Sequence, residues 1–127
     1  MLDHVTIGVS NIAHAIAFYD RALAPLGIER LYSEGTSAFG YGAEKKAFFW
    51  IGLRETVQSG AHIAFAAKDR ASVEAFHAAA LAAGGRDNGA PGLRPHYHAN
   101  YYGAFILDPD GHNIEAVCHR PAQDQVA

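Results

Sequence analysis

Three side chains of metal-binding type sit in similar surroundings along the chain: His4 in LDHVTIGV, His62 in GAHIAFAA and Glu115 in DPDGHNIEAV. Glu115 is the unexpected one, because it lies between Ile114 and Ala116 in an otherwise apolar run. Burying an unpaired carboxylate costs several kcal/mol unless a cation or donor replaces its water. Two imidazoles and one carboxylate form the facial triad that holds a divalent ion and keeps positions open for substrate. Taken singly, each residue has an ordinary reading: a histidine at a strand start is commonly a surface or core residue, and Glu115 alone fits a solvated sheet face. The case for a metal rests on the three together.

A second group lies in RPHYHANYY, which places His96, Tyr97, His98, Tyr101 and Tyr102 just upstream of the Glu115 segment. Histidine titrates near neutral pH, which suits His98 to acid/base work, and Tyr101 to orienting a ligand as a donor. The alternative is an aromatic cluster that closes a barrel mouth or forms a dimer contact. Arg94 is a candidate for an anionic substrate group or else a solvated loop residue. Phe48 and Trp50 offer an apolar wall. His14, His77 and His119 read as surface or internally satisfied residues.

The elements that must position these residues are written twice. Sliding the chain by 58 positions superposes His4 on His62, Phe18 on Phe76, Leu23 on Leu81 and Gly27 on Gly85, with several alanines between. Each half opens with a strand, DHVTIGVS or AHIAFAAK, and continues with a helix, NIAHAIAFYDRAL or SVEAFHAAALAAG. Ile12, Ile16, Tyr19 and Leu23 mark the buried stripe of the first helix; Val73, Phe76 and Leu81 mark that of the second. Ser10 or Asn11 caps the first and Asp69 or Ser72 the second, with Gly27 and Gly84-Gly85 as stops. Three strand-like runs follow in the first half, IERLYS, SAFGYG and KAFFWIGL. The second half has YYGAFILD and NIEAVCH after a long loop, NGAPGLRPHYHAN. Strand alternation puts Val5, Ile7 and Val9 on a helix-covered face and His4, Thr6 and Gly8 on the other. It likewise places His62, Ala64 and Ala66, and Glu115, Val117 and His119, on open faces; Phe48 with Trp50, and Tyr101 with Phe105, share faces.

The 127 residues suit one domain, with 18 % charged residues and a formal charge of -3. The absence of a Lys/Arg cluster argues against nucleic acid or an anionic membrane as partner, and a small molecule is the expected ligand. No apolar run approaches the roughly 20 residues needed to span a bilayer. One cysteine, Cys118, and a start without secretory features point to the cytoplasm.

LDHVTIGV, GAHIAFAA and the acidic-Pro-x-Gly turn with Glu four residues past the glycine resemble the vicinal oxygen chelate superfamily. That superfamily includes glyoxalase I, extradiol dioxygenases, fosfomycin-resistance enzymes and bleomycin-resistance proteins. The resemblance runs from Leu2 to about His119. It implies an α+β fold of two tandem βαβββ modules, residues 1–57 and 58–119, forming a half-open, eight-stranded, barrel-like curved sheet, with 120–127 as a tail. It also implies a homodimer and a divalent metal (Zn, Fe, Mn or Ni) on His4, His62 and Glu115.

Two departures bear on chemistry. Glyoxalase I has a fourth, proton-shuttling ligand late in its fourth strand, where this chain has Trp50 or Gly52. Extradiol dioxygenases have a tyrosine where the matching signature puts Phe105, although His98 falls on their histidine. The expected function is a metal-dependent enzyme acting on a small molecule that chelates through adjacent oxygens. A glyoxalase-like lyase or isomerase comes first; an extradiol-type dioxygenase and a bleomycin-resistance-like binding protein are the alternatives.

Overall fold

Apolar alternation and helical periodicity produce the same sequence of elements twice in the computed structural model, which describes residues 1–122. Module one consists of β1 (Val5–Val9), α1 (Ile12–Ala22), β2 (Glu29–Glu34), β3 (Ala38–Ala43) and β4 (Lys46–Leu53). Module two consists of β5 (His62–Ala66), α2 (Arg70–Ala82), β6 (Arg86–Leu93), β7 (Tyr102–Leu107) and β8 (Asn113–Cys118). Each forms a four-stranded mixed sheet, ordered β1-β4-β3-β2 and β5-β8-β7-β6, and the sheets do not close into a barrel. The first strand of each module pairs in parallel with the last, and the remaining pairs are antiparallel.

Local chemistry sets the element ends. Asn11 caps α1 by accepting the His14 N–H, and Asp69 caps α2 by accepting the Ser72 N–H. The β3–β4 hairpin turns through Glu44 and Lys45, both at positive φ, as a two-residue turn of primed type requires. The DPDG turn closes on a Gly111 N–H to Asp108 carbonyl bond of 2.9 Å, with Gly111 at φ 83°.

The bulky strand faces and both helices share one core. Ile7, Val9, Phe49 and Ile51 of module one join Phe65, Ile106, Ile114 and Ala116 of module two around Phe18, Tyr19 and Phe76. Phe49 meets Phe65 edge-on, 5.2 Å between centroids. Buried polar contacts tie the modules as well: the Tyr19 hydroxyl donates to Asp108 at 2.5 Å, and His112 Nε2 donates to the Gly8 carbonyl at 2.8 Å. With the apolar faces joined, each module keeps a separate open face of its own.

Three details differ from the sequence reading. Arg86–Leu93 forms a strand although it contains Gly89, Pro91 and Gly92, so the loop read over 88–100 is half sheet. It is the edge strand and pairs irregularly with β7, the setting in which proline is tolerated. Leu81 is 40 % exposed because Ala80, four residues after Phe76, takes the buried position. Phe48 leaves the Trp50 face: the β3–β4 register shifts between Tyr41 and Gly42, so that Gly42 pairs with Ala47 and Tyr41 with Phe49. Of the 120–127 tail, residues 123–127 lie outside the described residues.

Candidate functional site

Glu115 is buried, 1 % exposed, in the middle of β8. Ala64 is its partner on β5, so His62, two residues before Ala64, is a diagonal neighbour on the same face. His62 Nε2 lies 2.8 Å from Glu115 Oε1, with the imidazole half exposed. The other carboxylate oxygen accepts the Tyr101 hydroxyl from the adjoining loop. Partial burial, reinforced by the Glu115 carboxylate, pushes the Tyr101 phenol above the ordinary tyrosine range, so it remains a donor at neutral pH.

Space beside the carboxylate is kept by Gly103 on β7. A Cβ there would stand 3.3 Å from Glu115 Oε2 and 3.2 Å from the Tyr101 ring. Phe105 pairs directly with Glu115 and lies 6.1 Å from the His62 ring, forming an apolar border. Arg94 stacks over Phe105 at 5.3 Å, while its guanidinium donates to the Gly92 and Ala90 carbonyls at 2.9 and 2.8 Å. Two of the Arg94 guanidinium donors therefore brace the end of β6.

His98 approaches this group through His119. The Asn100 N–H donates to His98 Nδ1 at 3.0 Å, so the proton on that ring sits on Nε2, which donates to His119 Nδ1 at 2.8 Å. The two imidazoles stack, with centroids 5.1 Å apart, and both meet the Tyr101 ring edge-on. Tyr97 also packs against the Tyr101 ring, centroids 4.7 Å apart, and His96 against Tyr97 at 4.2 Å. His119, read from sequence as a satisfied surface residue, is thus a neighbour of the site. The signal for it was its alternation with Glu115 on one strand face.

Module one repeats the layout with different chemistry. Thr6 pairs with Trp50 as Ala64 pairs with Glu115, so an indole stands where module two has its carboxylate. The cleft around His4 and Trp50, about 650 Å³, is lined by module-one residues alone. His4 Nδ1 is 2.7 Å from Asp3, whose other oxygen receives Lys46 at 2.9 Å. Lys46 and His4 together hold the Asp3 carboxyl below its usual range. Phe48 borders a different cavity, with Ile63 and Phe65.

Convergence of His4, His62 and Glu115 inside one chain, the expectation from strand faces, is therefore not what the fold builds. His62 and Glu115 meet, and His4 immediately precedes β1 of the other sheet. Among the described residues no three His, Cys, Asp or Glu side chains gather to hold a metal ion. The physical reason is the shared core, which joins the apolar faces and leaves the two open faces on separate sheets.

Known proteins with the same pattern give this arrangement a family. The metallothiol transferase FosB of Shouchella clausii (strain KSM-K16) is 30 % identical over 124 residues, covering 90 % of this chain and 77 % of that protein. A glyoxalase/bleomycin resistance protein from Albidiferax ferrireducens T118 superposes with a TM-score of 0.80 at 31 % identity, covering 93 % of this chain and 97 % of that one. A glyoxalase/bleomycin resistance protein/dioxygenase family enzyme from Burkholderia phytofirmans PsJN shares the fold at a TM-score of 0.73 and 21 % identity, covering 94 % and 98 %. No helix among the described residues is long and apolar enough to cross a membrane. The family model matches residues 1–116, and the chain belongs to the Glyoxalase/Bleomycin resistance protein/Dioxygenase superfamily.

Proposed function

We propose that the chain is a metal-dependent enzyme for a small molecule with adjacent oxygens, its metal held by His62 and Glu115 of one copy and His4 of a second. The observation that carries this is the buried Glu115, paired with an imidazole nitrogen at 2.8 Å beside a glycine-cleared space. The donor set fits a divalent ion: one imidazole and one carboxylate converge, the second carboxylate oxygen is oriented by the Tyr101 hydroxyl, and Phe105 borders the site. When bound, such an ion acts as a Lewis acid on substrate oxygens. His4 supplies the third donor in a homodimer that sets the open face of module one against that of module two, which forms two equal sites.

Within this frame, thiol transfer is the reaction the residues favour. Trp50 stands at the module-one position equivalent to Glu115 and can neither ligate nor move a proton, which removes the shuttle of a glyoxalase-type isomerisation. Phe105 lacks the hydroxyl that the dioxygenase signature carries. A transferase needs neither: the thiol sulfur bonds to an electrophilic carbon, the bond from that carbon to oxygen breaks, and the departing oxygen takes up the proton. The similarity to a metallothiol transferase supports this. Tyr101, kept protonated, holds Glu115 and serves as a donor rather than a base.

The deciding experiment combines metal analysis with product stoichiometry. Near-stoichiometric metal, lost in Glu115→Ala, with free thiol consumed one for one with an electrophile, supports the proposal. Isomerisation of a thiohemiacetal without thiol loss would make the protein a lyase. Oxygen uptake with catechols would make it a dioxygenase, and a protein that takes up no metal would be a binder.

A further inference from the structure

The cleft of module one holds an arginine on a prepared bed. The Arg54 N–H bonds to the Val9 carbonyl at 3.0 Å, which fixes its backbone to the end of β1. Its side chain then runs across Gly8 and Gly52, which are cross-strand partners. A Cβ on Gly8 would stand 3.0 Å from Arg54 Cγ, and one on Gly52 2.7 Å from an Arg54 Nη. One guanidinium N–H donates to the Leu53 carbonyl at 3.0 Å. Asp3 neutralises Lys46 in the same cleft, and among the described residues Arg54 has no carboxylate within ion-pair distance, Glu34 of the cleft included. A second glycine bed lies alongside: a Cβ on Gly40 would be 2.7 Å from the Trp50 ring, so the indole lies over that backbone. An exposed cation with free donors and a flat aromatic surface thus share one open cleft.

We infer that Arg54 selects ligands bearing an oxyanion, a carboxylate or phosphorus oxyanion, attached to a small apolar body that rests on Trp50. A guanidinium presents paired donors matched to such groups, and charge assistance makes those bonds strong. The inference rests on the reading of this face as the small-molecule side of the site. It does not require the metal, and its test is run without one.

Trp50 is the single tryptophan of the sequence, so its fluorescence reports directly on the cleft. The full chain, treated with chelator, is titrated with phenylphosphonate and with neutral benzyl alcohol. Saturable binding of phenylphosphonate, at least about tenfold tighter than benzyl alcohol and weakened about tenfold or more in Arg54→Gln, supports the assignment. Gly52→Ala, which displaces the guanidinium without removing it, weakens the same binding. Metal uptake, measured separately, is unchanged in Arg54→Gln, so failure of the metal reading is distinguishable. Equal affinity in Arg54→Gln and wild type, equal affinity for the neutral analogue, or no saturable change overturns the assignment.

Discussion

Trp50 and Glu115 occupy the same place in the two modules, one paired across from Thr6 and the other from Ala64, residues separated by the 58 positions that superpose the halves. Module two therefore presents a carboxylate and module one an aromatic plane. In the proposed dimer, the unlike faces would meet, each donor set would face Trp50 of the other copy, and two-fold symmetry would make the two sites identical.

Glu115→Gln keeps the shape of the side chain and removes its charge. Divalent metal affinity falls by at least about a hundredfold, measured by competition with a chromogenic chelator, while the unfolding midpoint changes little in metal-free protein.

Tyr101→Phe removes the hydroxyl that orients Glu115 and keeps the ring between His98, His119 and Tyr97. Metal affinity falls about tenfold, the range for a group that acts through a ligand. Gly103→Ala presses on the same carboxylate and ring and shifts metal affinity in the same direction.

Tyr19 couples stability to alkaline pH. Burial, together with the neighbouring Asp108 carboxylate, raises its phenol well above its ordinary value. The folded value exceeds the unfolded one of about 10, so this contribution is complete below pH 10 and is lost as the pH rises through the folded value. Tyr19→Phe costs about 1–3 kcal/mol at pH 7, because a buried Asp108 oxygen loses its donor. Urea midpoints from pH 8 to 11 fall less steeply in the variant; Tyr41, raised by burial and by Asp20, retains part of the slope.

Asp69 acts at the opposite end of the scale. Hydrogen bonds from the Ser72 hydroxyl and N–H hold its carboxyl below the usual range, so the stability it contributes is present above about pH 4 and is lost on acidification. Asp69→Ala lowers the unfolding midpoint at pH 7, as the loss of a helix cap does, and flattens the acid limb of the denaturation curve.

Much of this was legible in the sequence, because period and repetition are local signals. The 58-residue shift carries the first residue of α1 onto that of α2, Ile12 onto Arg70, and strand alternation placed Ile7, Val9 and Ile114 in the core. The same alternation put His62 and Glu115 on open faces, and the β5–β8 register brings them together at 2.8 Å. Other features depended on partners that alternation does not reveal. The bulge that moves Phe48 depends on how Gly42 meets Ala47 across a hairpin. The edge position that lets Pro91 sit in a strand depends on which strand follows it in the sheet. His4 stayed apart from His62 because face assignments within strands do not specify how two sheets pack, and here the apolar faces pack on each other.

In the proposed dimer, His4 of one copy completes the metal site of the other. His4→Ala and Glu115→Ala proteins, each purified separately, are expected to bind no stoichiometric metal. Mixed under conditions that exchange subunits, they form heterodimers with one intact and one doubly defective site, and about a quarter of the wild-type metal content returns. Metal content that stays at zero after verified exchange, or full metal retained by His4→Ala alone, contradicts the account.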